Sequence, residues 1–156
     1  MRLVFDTDVM LSALRSPTGA SRLLLVAAYE RIVTPLVSVA VMLEYEAVLK
    51  RPCHLEAAHL TAGDVDRFLD HWAALVEPVV GYYSWRPSIR DADDELFVDV
   101  AVNGAADMLV TFNIADYRPA DDRHVGLGID VGRPGDVLRR LEWRPSATTR
   151  SEFRLR

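Results

Sequence analysis

The chain has a single cysteine, Cys53, so no intramolecular disulfide can form, and its four histidines, His54, His59, His71 and His124, offer no zinc-finger spacing beside it. A reducing compartment suits such a sequence. Lysine is as scarce: Lys50 is the only one, the other basic residues are arginines, and a catalytic lysine has almost no candidates. No apolar run approaches the ~18 residues needed to cross a bilayer. Asp6 interrupts the first apolar run where a secretory signal would still be apolar. These absences lead to the expectation of a soluble cytoplasmic protein with no membrane partner. Positive charge is also in deficit, since 18 Lys plus Arg face 23 Asp plus Glu for a net charge of −5. A globally basic nucleic-acid coat is therefore excluded, and any such contact must be local.

The 156 residues, half of them hydrophobic, are enough to enclose one ordinary core. Leu3-Val4-Phe5 reads as a short buried strand ending in a polar loop, Asp6-Thr7-Asp8. A turn at 16–19 precedes a helix over 21–29, with Thr18 or Ser21 as its cap. A second strand is expected over 32–35, followed by a helix capped by Ser38 that runs to Lys50 before Pro52. Thr61 and Asp64 mark the start of an amphipathic helix carrying Val65, Phe68, Leu69, Trp72 and Leu75. That helix is expected either in the core or across a homodimer. An edge strand over 76–80 contains Pro78, a helix over 94–103 ends at Gly104 as a C-cap, and strands over 108–111 and 128–131 precede a helix over 134–141. Alternating strands and helices predict an α/β fold with a parallel sheet wrapped on both faces. From Arg144 onward, arginine accumulates without periodicity. We expect a domain over 1–142 and an Arg-rich tail over 143–156, either frayed or approaching a phosphate chain or a partner.

Chemistry in parallel sheets concentrates beyond the carboxyl ends of the strands. Asp6 and Asp8 follow the first strand, Asp91, Asp93 and Asp94 precede the fourth, and Asn113 and Asp116 follow it. Partly desolvated carboxylates repel one another, so several together call for a cation, and Mg²⁺ or Mn²⁺ suits oxygen ligands best. Glu44 has Ala40, Val41, Ala47 and Val48 one turn away, which predicts an inward-facing charge that something must compensate. Glu46 is expected to face solvent.

Four segments together carry a resemblance. Leu-Val-Phe-Asp6-Thr7-Asp8-Val9, Ser38-Val-Ala-Val-Met-Leu-Glu44-Tyr45, Arg90-Asp-Ala-Asp-Asp94-Glu-Leu-Phe, and Leu-Val-Thr111-Phe-Asn113-Ile-Ala-Asp116-Tyr resemble, in order and spacing, the PIN-domain ribonucleases. Within that family the likeness is to proteins assigned as toxins of toxin–antitoxin pairs, related to VapC-type toxins. The resemblance implies a three-layer α/β/α fold with a mostly parallel five-stranded sheet of order 3-2-1-4-5. It implies Asp6, Glu44 and Asp94 as the acids holding one or two Mg²⁺ or Mn²⁺ ions, with Asn113 standing where a fourth Asp is usual, so that the missing charge for the metal has to come from Asp116 or Asp8. Asp8 stands where the family usually has Asn. Thr7, Ser12 and Thr111 are expected to orient the acids or water, and Arg15, Arg22, Lys50, Arg51 and Arg90 to steer phosphates.

The implied activity is metal-dependent cleavage of RNA phosphodiester bonds by an activated water, with no covalent enzyme intermediate. Implied partners are RNA, a second copy of the chain and a cognate antitoxin. Two alternatives stand beside it. Asn113 in the fourth acidic place is compatible with a PIN domain that binds RNA or protein without cutting. Asp6-Thr7-Asp8 also resembles the opening of haloacid-dehalogenase-type phosphatases, in which Asp6 would attack phosphate and Thr34 and Lys50 would assist.

Overall fold

A computed structural model describes residues 1–81, 94–117 and 128–145. The first element is β1 (Arg2–Phe5), whose Leu3, Val4 and Phe5 are fully buried. Two helices come next, α1 (Thr7–Arg15) and α2 (Ala20–Tyr29). Helix α1 falls where a polar loop was expected. Asp6-Thr7-Asp8 is a loop signal, but Asp is equally a helix-start residue, and Val9, Met10 and Ala13 then repeat at helical steps and are buried. Gly19, rather than Thr18 or Ser21, occupies the N-cap position of α2.

Strand β2 (Thr34–Val37) begins two residues later than expected and leads into α3 (Val39–Leu49), where the Ser38 hydroxyl accepts from the Val41 N–H at 3.2 Å. Helix α4 (Pro52–Ala58), with Pro52 in its first turn, was not anticipated. In α5 (Ala62–Ala73), Thr61 and Asp64 form a reciprocal capping box. The apolar face of α5 lies in the core: Phe5 meets Trp72 edge-on with ring centroids 5.6 Å apart, and Phe68 stacks on Trp72 at 6.4 Å. Strand β3 (Glu77–Pro78) is a two-residue edge strand, as Pro78 requires. Helix α6 (Glu95–Asn103), β4 (Met108–Val110), β5 (Asp130–Gly132) and α7 (Pro134–Leu141) complete the order.

Gly104 does end α6, but for a different reason from the one expected. Its φ is −87°, so no left-handed conformation is involved. A Cβ there would stand 2.8 Å from Leu36 Cδ1 and from the Val100 carbonyl oxygen, and 2.9 Å from Val79 Cγ2. The helix end packs so closely on Leu36 and Val79 that any larger residue would force a neighbour to shift.

The described residues form five strands, all parallel, in the order β3-β2-β1-β4-β5, and with the helices they make the three-layer α/β/α arrangement. The chain steps from β1 to β2 and β3 on one side and then crosses from β3 to β4 on the other. That reversal makes the carboxyl ends of β1 and β4 the switch point of the sheet, the place where parallel α/β sheets open a crevice. Trp143, just past α7, packs against the core and donates its indole N–H to Glu30 at 3.2 Å.

Candidate active site

Asp6 directly follows β1, and Thr111 directly follows β4. The Asp6 backbone N–H donates to the Val110 carbonyl at 2.9 Å, which extends the β1–β4 ladder one step and brings the two residues together. Asp6 is 6% exposed and Thr111 fully buried. The Thr111 hydroxyl lies 2.7 Å from Asp6 Oδ2 and 3.2 Å from Asp8 Oδ2, while the Phe112 N–H donates to Asp8 Oδ2 at 2.9 Å. Asp8 Oδ1 is buried with no hydrogen-bond partner among the described residues. One hydroxyl thus serves two acids from one helix start.

The electrostatics arise from this crowding. Burial pushes the Asp6 carboxyl above its usual value, partly offset by the Thr111 hydroxyl. Burial and then the charge of Asp6 push Asp8 up to about 6. Tyr45 on α3 donates its hydroxyl to the Phe5 carbonyl, the last of β1, and its own acidity is suppressed by burial and by the charge of Asp6. This bond ties α3, and with it Glu44, to the carboxyl end of the central strand.

Glu44 itself is half-buried rather than inward-facing. The buried stripe of α3 runs through Val41, Tyr45, Val48 and Leu49, while Ala40 and Ala47, counted as its inward neighbours, are exposed. Glu44 sits at the margin of that stripe. Asp94 immediately precedes α6, and its charge, with those of Asp6 and Asp8, falls on the buried phenol of Tyr117. Asp94 therefore shares the field of the Asp6 pair. Past β4, the Asn113 N–H donates to the Thr111 hydroxyl at 3.0 Å, and the Asn113 side-chain amide donates to Asp116. That amide bond leaves the Asn113 carbonyl oxygen as the acceptor it can still offer.

The remaining expected residues divide. Thr7 and Ser12 are half-buried on α1, Ser12 one turn beyond Asp8 on the same face. Arg15 is exposed in the last turn of α1, and Arg51 is exposed at the start of α4. Lys50 is occupied, bonding Glu46 at 2.7 Å and Asp66 at 2.5 Å. Glu46, half-buried, is thus a partner of Lys50 rather than a fully solvated acid. Arg22 is buried within α2. Arg90, Asp91 and Asp93 lie outside the described residues, as does the tail from 146 onward. Sequence reasoning passed over three side chains: Tyr45, Tyr117 and the buried Glu95 in the first turn of α6. For Tyr45 the available signal was its position, four residues past Val41 and four before Leu49.

The phosphatase alternative fails on topology. Thr34 pairs with Arg2 at the amino end of β1, four residues from Asp6 and so roughly 13 Å away along the strand. Lys50 is committed to two carboxylates besides.

The donor set is carboxylate-rich and all oxygen, with one buried, unpartnered carboxylate oxygen and mutual repulsion that a cation would relieve. It fits the chemistry of a hard divalent ion. Among the described residues, no three His, Cys, Asp or Glu side chains stand close enough to enclose an ion by themselves. Mg²⁺ tolerates that, because it keeps several of its waters.

A five-stranded parallel sheet in this order, with buried acids gathered where its central strands end, defines a class of α/β/α domains that concentrate charge at one crevice. The sequence comparison agrees: the PIN domain family model matches residues 2–115, and the chain belongs to the PIN-domain family. PIN domains are nucleases that act on RNA and generally use divalent metal ions, which makes this protein a nuclease-type hydrolase by family. No curated protein and no solved structure gives a significant match. No helix among the described residues is long and apolar enough to cross a membrane.

Proposed function

We propose that the protein is a divalent-metal-dependent endoribonuclease of the cytoplasm, acting as the toxin of a toxin–antitoxin pair. The observation that carries the catalytic part is the buried Asp6 beside Asp8, both held by the Thr111 hydroxyl at the switch point of the sheet. Asp6, Glu44 and Asp94, with Asp116, would hold one or two Mg²⁺ or Mn²⁺ ions. When bound, such an ion supplies positive charge for the phosphate oxygens and makes water more acidic.

The chain's own contribution is placement. Thr111 orients Asp6 and limits the repulsion from Asp8 by donating to both. Asn113, tethered to Asp116, presents a neutral carbonyl oxygen to water. Arg15 and Arg51, exposed at the end of α1 and just past α3, are available to attract the RNA backbone, whereas Lys50 first has to leave its two acids. The acidic surplus of the chain is thereby concentrated where cations would offset it. The toxin role and the homodimer rest on the resemblance of the four motifs.

The deciding experiment is Mn²⁺ and Mg²⁺ titration of cleavage on a panel of end-labelled single-stranded and hairpin RNAs, with Asp6→Asn and Glu44→Gln beside the wild type. Cleavage that appears with metal and is lost in both variants supports the assignment, and cleavage surviving both substitutions sinks it. A second reading has a specific observation behind it: the fourth acidic position is held by the neutral Asn113, whose side-chain amide is engaged with Asp116. A PIN domain that binds RNA without cutting would show no calorimetric Mn²⁺ binding even at millimolar metal.

A further inference from the structure

Tyr117 has no part in the site as the sequence outlines it, yet its hydroxyl is the feature of the crevice that most needs an explanation. The residue is 4% exposed, and its hydroxyl oxygen is buried with no hydrogen-bond partner among the described residues. A phenylalanine would fill the same space without burying an unpaired polar group. The chain reaches this position through a compact turn: the Asn113 N–H donates to Thr111, the Asp116 N–H donates to the Asn113 carbonyl at 3.2 Å, and Asn113 holds Asp116 through its side chain. That turn carries Tyr117 back to the carboxylate that Thr111 holds. The phenol lies within reach of the charges of Asp6, Asp94 and Asp8, and a phenol hydroxyl is a hydrogen-bond donor. Its hydroxyl stands near Asp6 but short of hydrogen-bond geometry. A small rotation of the carboxylate would complete the bond.

We propose that Tyr117 is a positioning residue, its hydroxyl donating to the Asp6 carboxylate in the metal-loaded protein so that Tyr117 and Thr111 hold Asp6 from two sides. The inference rests on the metal-site reading given under Proposed function. A ligand carboxylate held by two donors has less freedom to lose on binding an ion, and its remaining lone pairs keep a fixed direction. Thr111 already occupies Asp6 Oδ2, so a bond from Tyr117 would add to the hold on the carboxylate.

The test compares wild type, Tyr117→Phe and Asp6→Asn by Mn²⁺ calorimetry, by melting temperature in chelator, and by RNA cleavage across a range of Mn²⁺ concentrations. The Tyr117→Phe protein is expected to bind Mn²⁺ about tenfold more weakly, to melt in chelator no lower than wild type, and to recover cleavage when Mn²⁺ is raised about tenfold. Mn²⁺ affinity equal to wild type in Tyr117→Phe, with binding lost in Asp6→Asn, overturns the role of Tyr117 and leaves the metal site standing. A lower melting temperature with unchanged affinity overturns it too, since a purely structural hydroxyl would behave that way. Wild-type Mn²⁺ binding by Asp6→Asn removes the metal site itself, and the inference with it.

Discussion

Replacing Asp8 with Asn should make the protein more stable at neutral pH in the absence of metal, although it removes a residue at the centre of the site. The Asp8 carboxyl is raised from its ordinary 3.8 to about 6 by burial and by Asp6. At about 1.36 kcal/mol per pH unit, ionising it in the folded protein costs roughly 3 kcal/mol. Asp8 is partly exposed, and solvent screening reduces this to about 1–2 kcal/mol. Asn keeps an oxygen for the Phe112 N–H and the Thr111 hydroxyl, so the hydrogen bonds survive the change. For a chain of this size the gain corresponds to a rise in melting temperature of roughly 2–8 °C. The direction with pH is set by which state binds more protons. Between 3.8 and about 6 the folded state is the more protonated, so the wild type is free of the penalty below 3.8 and carries it fully above about 6. Thermal melts in chelator should therefore show the full gain of Asp8→Asn at about pH 7.5 and about a third of it at about pH 4.5. A variant that melts at or below wild type at neutral pH, or gains equally at both, would show that no repulsion is stored between Asp6 and Asp8.

Thr111→Val should lower stability by about 1–3 kcal/mol, because the buried Asp6, the half-buried Asp8 and the Asn113 N–H lose their shared partner; Thr111→Ser should recover most of it in urea titrations, and equal losses in both would point to packing instead. Gly104→Ala should cost about 1–3 kcal/mol despite an ordinary backbone conformation, since its methyl meets Leu36, Val79 and the Val100 carbonyl; a neutral result in denaturant melts would mean that α6 shifts freely on β2. Trp72→Ala should cost about 3–5 kcal/mol by removing the ring between Phe5 and Phe68, measured by equilibrium unfolding, and a loss below about 1 kcal/mol would place α5 outside the core. Saturating Mn²⁺ should stabilise the wild type by about 2.7 kcal/mol at a hundred times its dissociation constant, with no such gain in Asp6→Asn.

Local signals made most of the architecture legible. Leu3-Val4-Phe5, the Thr61–Asp64 capping box, the edge-confining Pro78 and the strand–helix alternation each act within a few residues, where periodicity and caps carry the information. Helix α1 was hidden because Asp-Thr-Asp is both a loop signal and a helix start, and the burial of Val9, Met10 and Ala13 against the rest of the fold decides between them. Glu44 was displaced from the inward stripe because that stripe is centred on Tyr45, whose hydroxyl reaches the Phe5 carbonyl 40 residues back along the chain.

The sequence by itself determined the inventory: which acids exist, in what order, and which of them follow the strands. Tertiary structure decided their chemistry. Asp6 and Thr111 are 105 residues apart and meet because β1 and β4 are neighbours in the sheet. The repulsion felt by Asp8, the burial of the Tyr117 hydroxyl, the commitment of Lys50 to two acids and the close packing around Gly104 arise from the same kind of convergence. Electrostatic and packing energies depend on distance in space, and a pattern of residues in one dimension does not contain that distance.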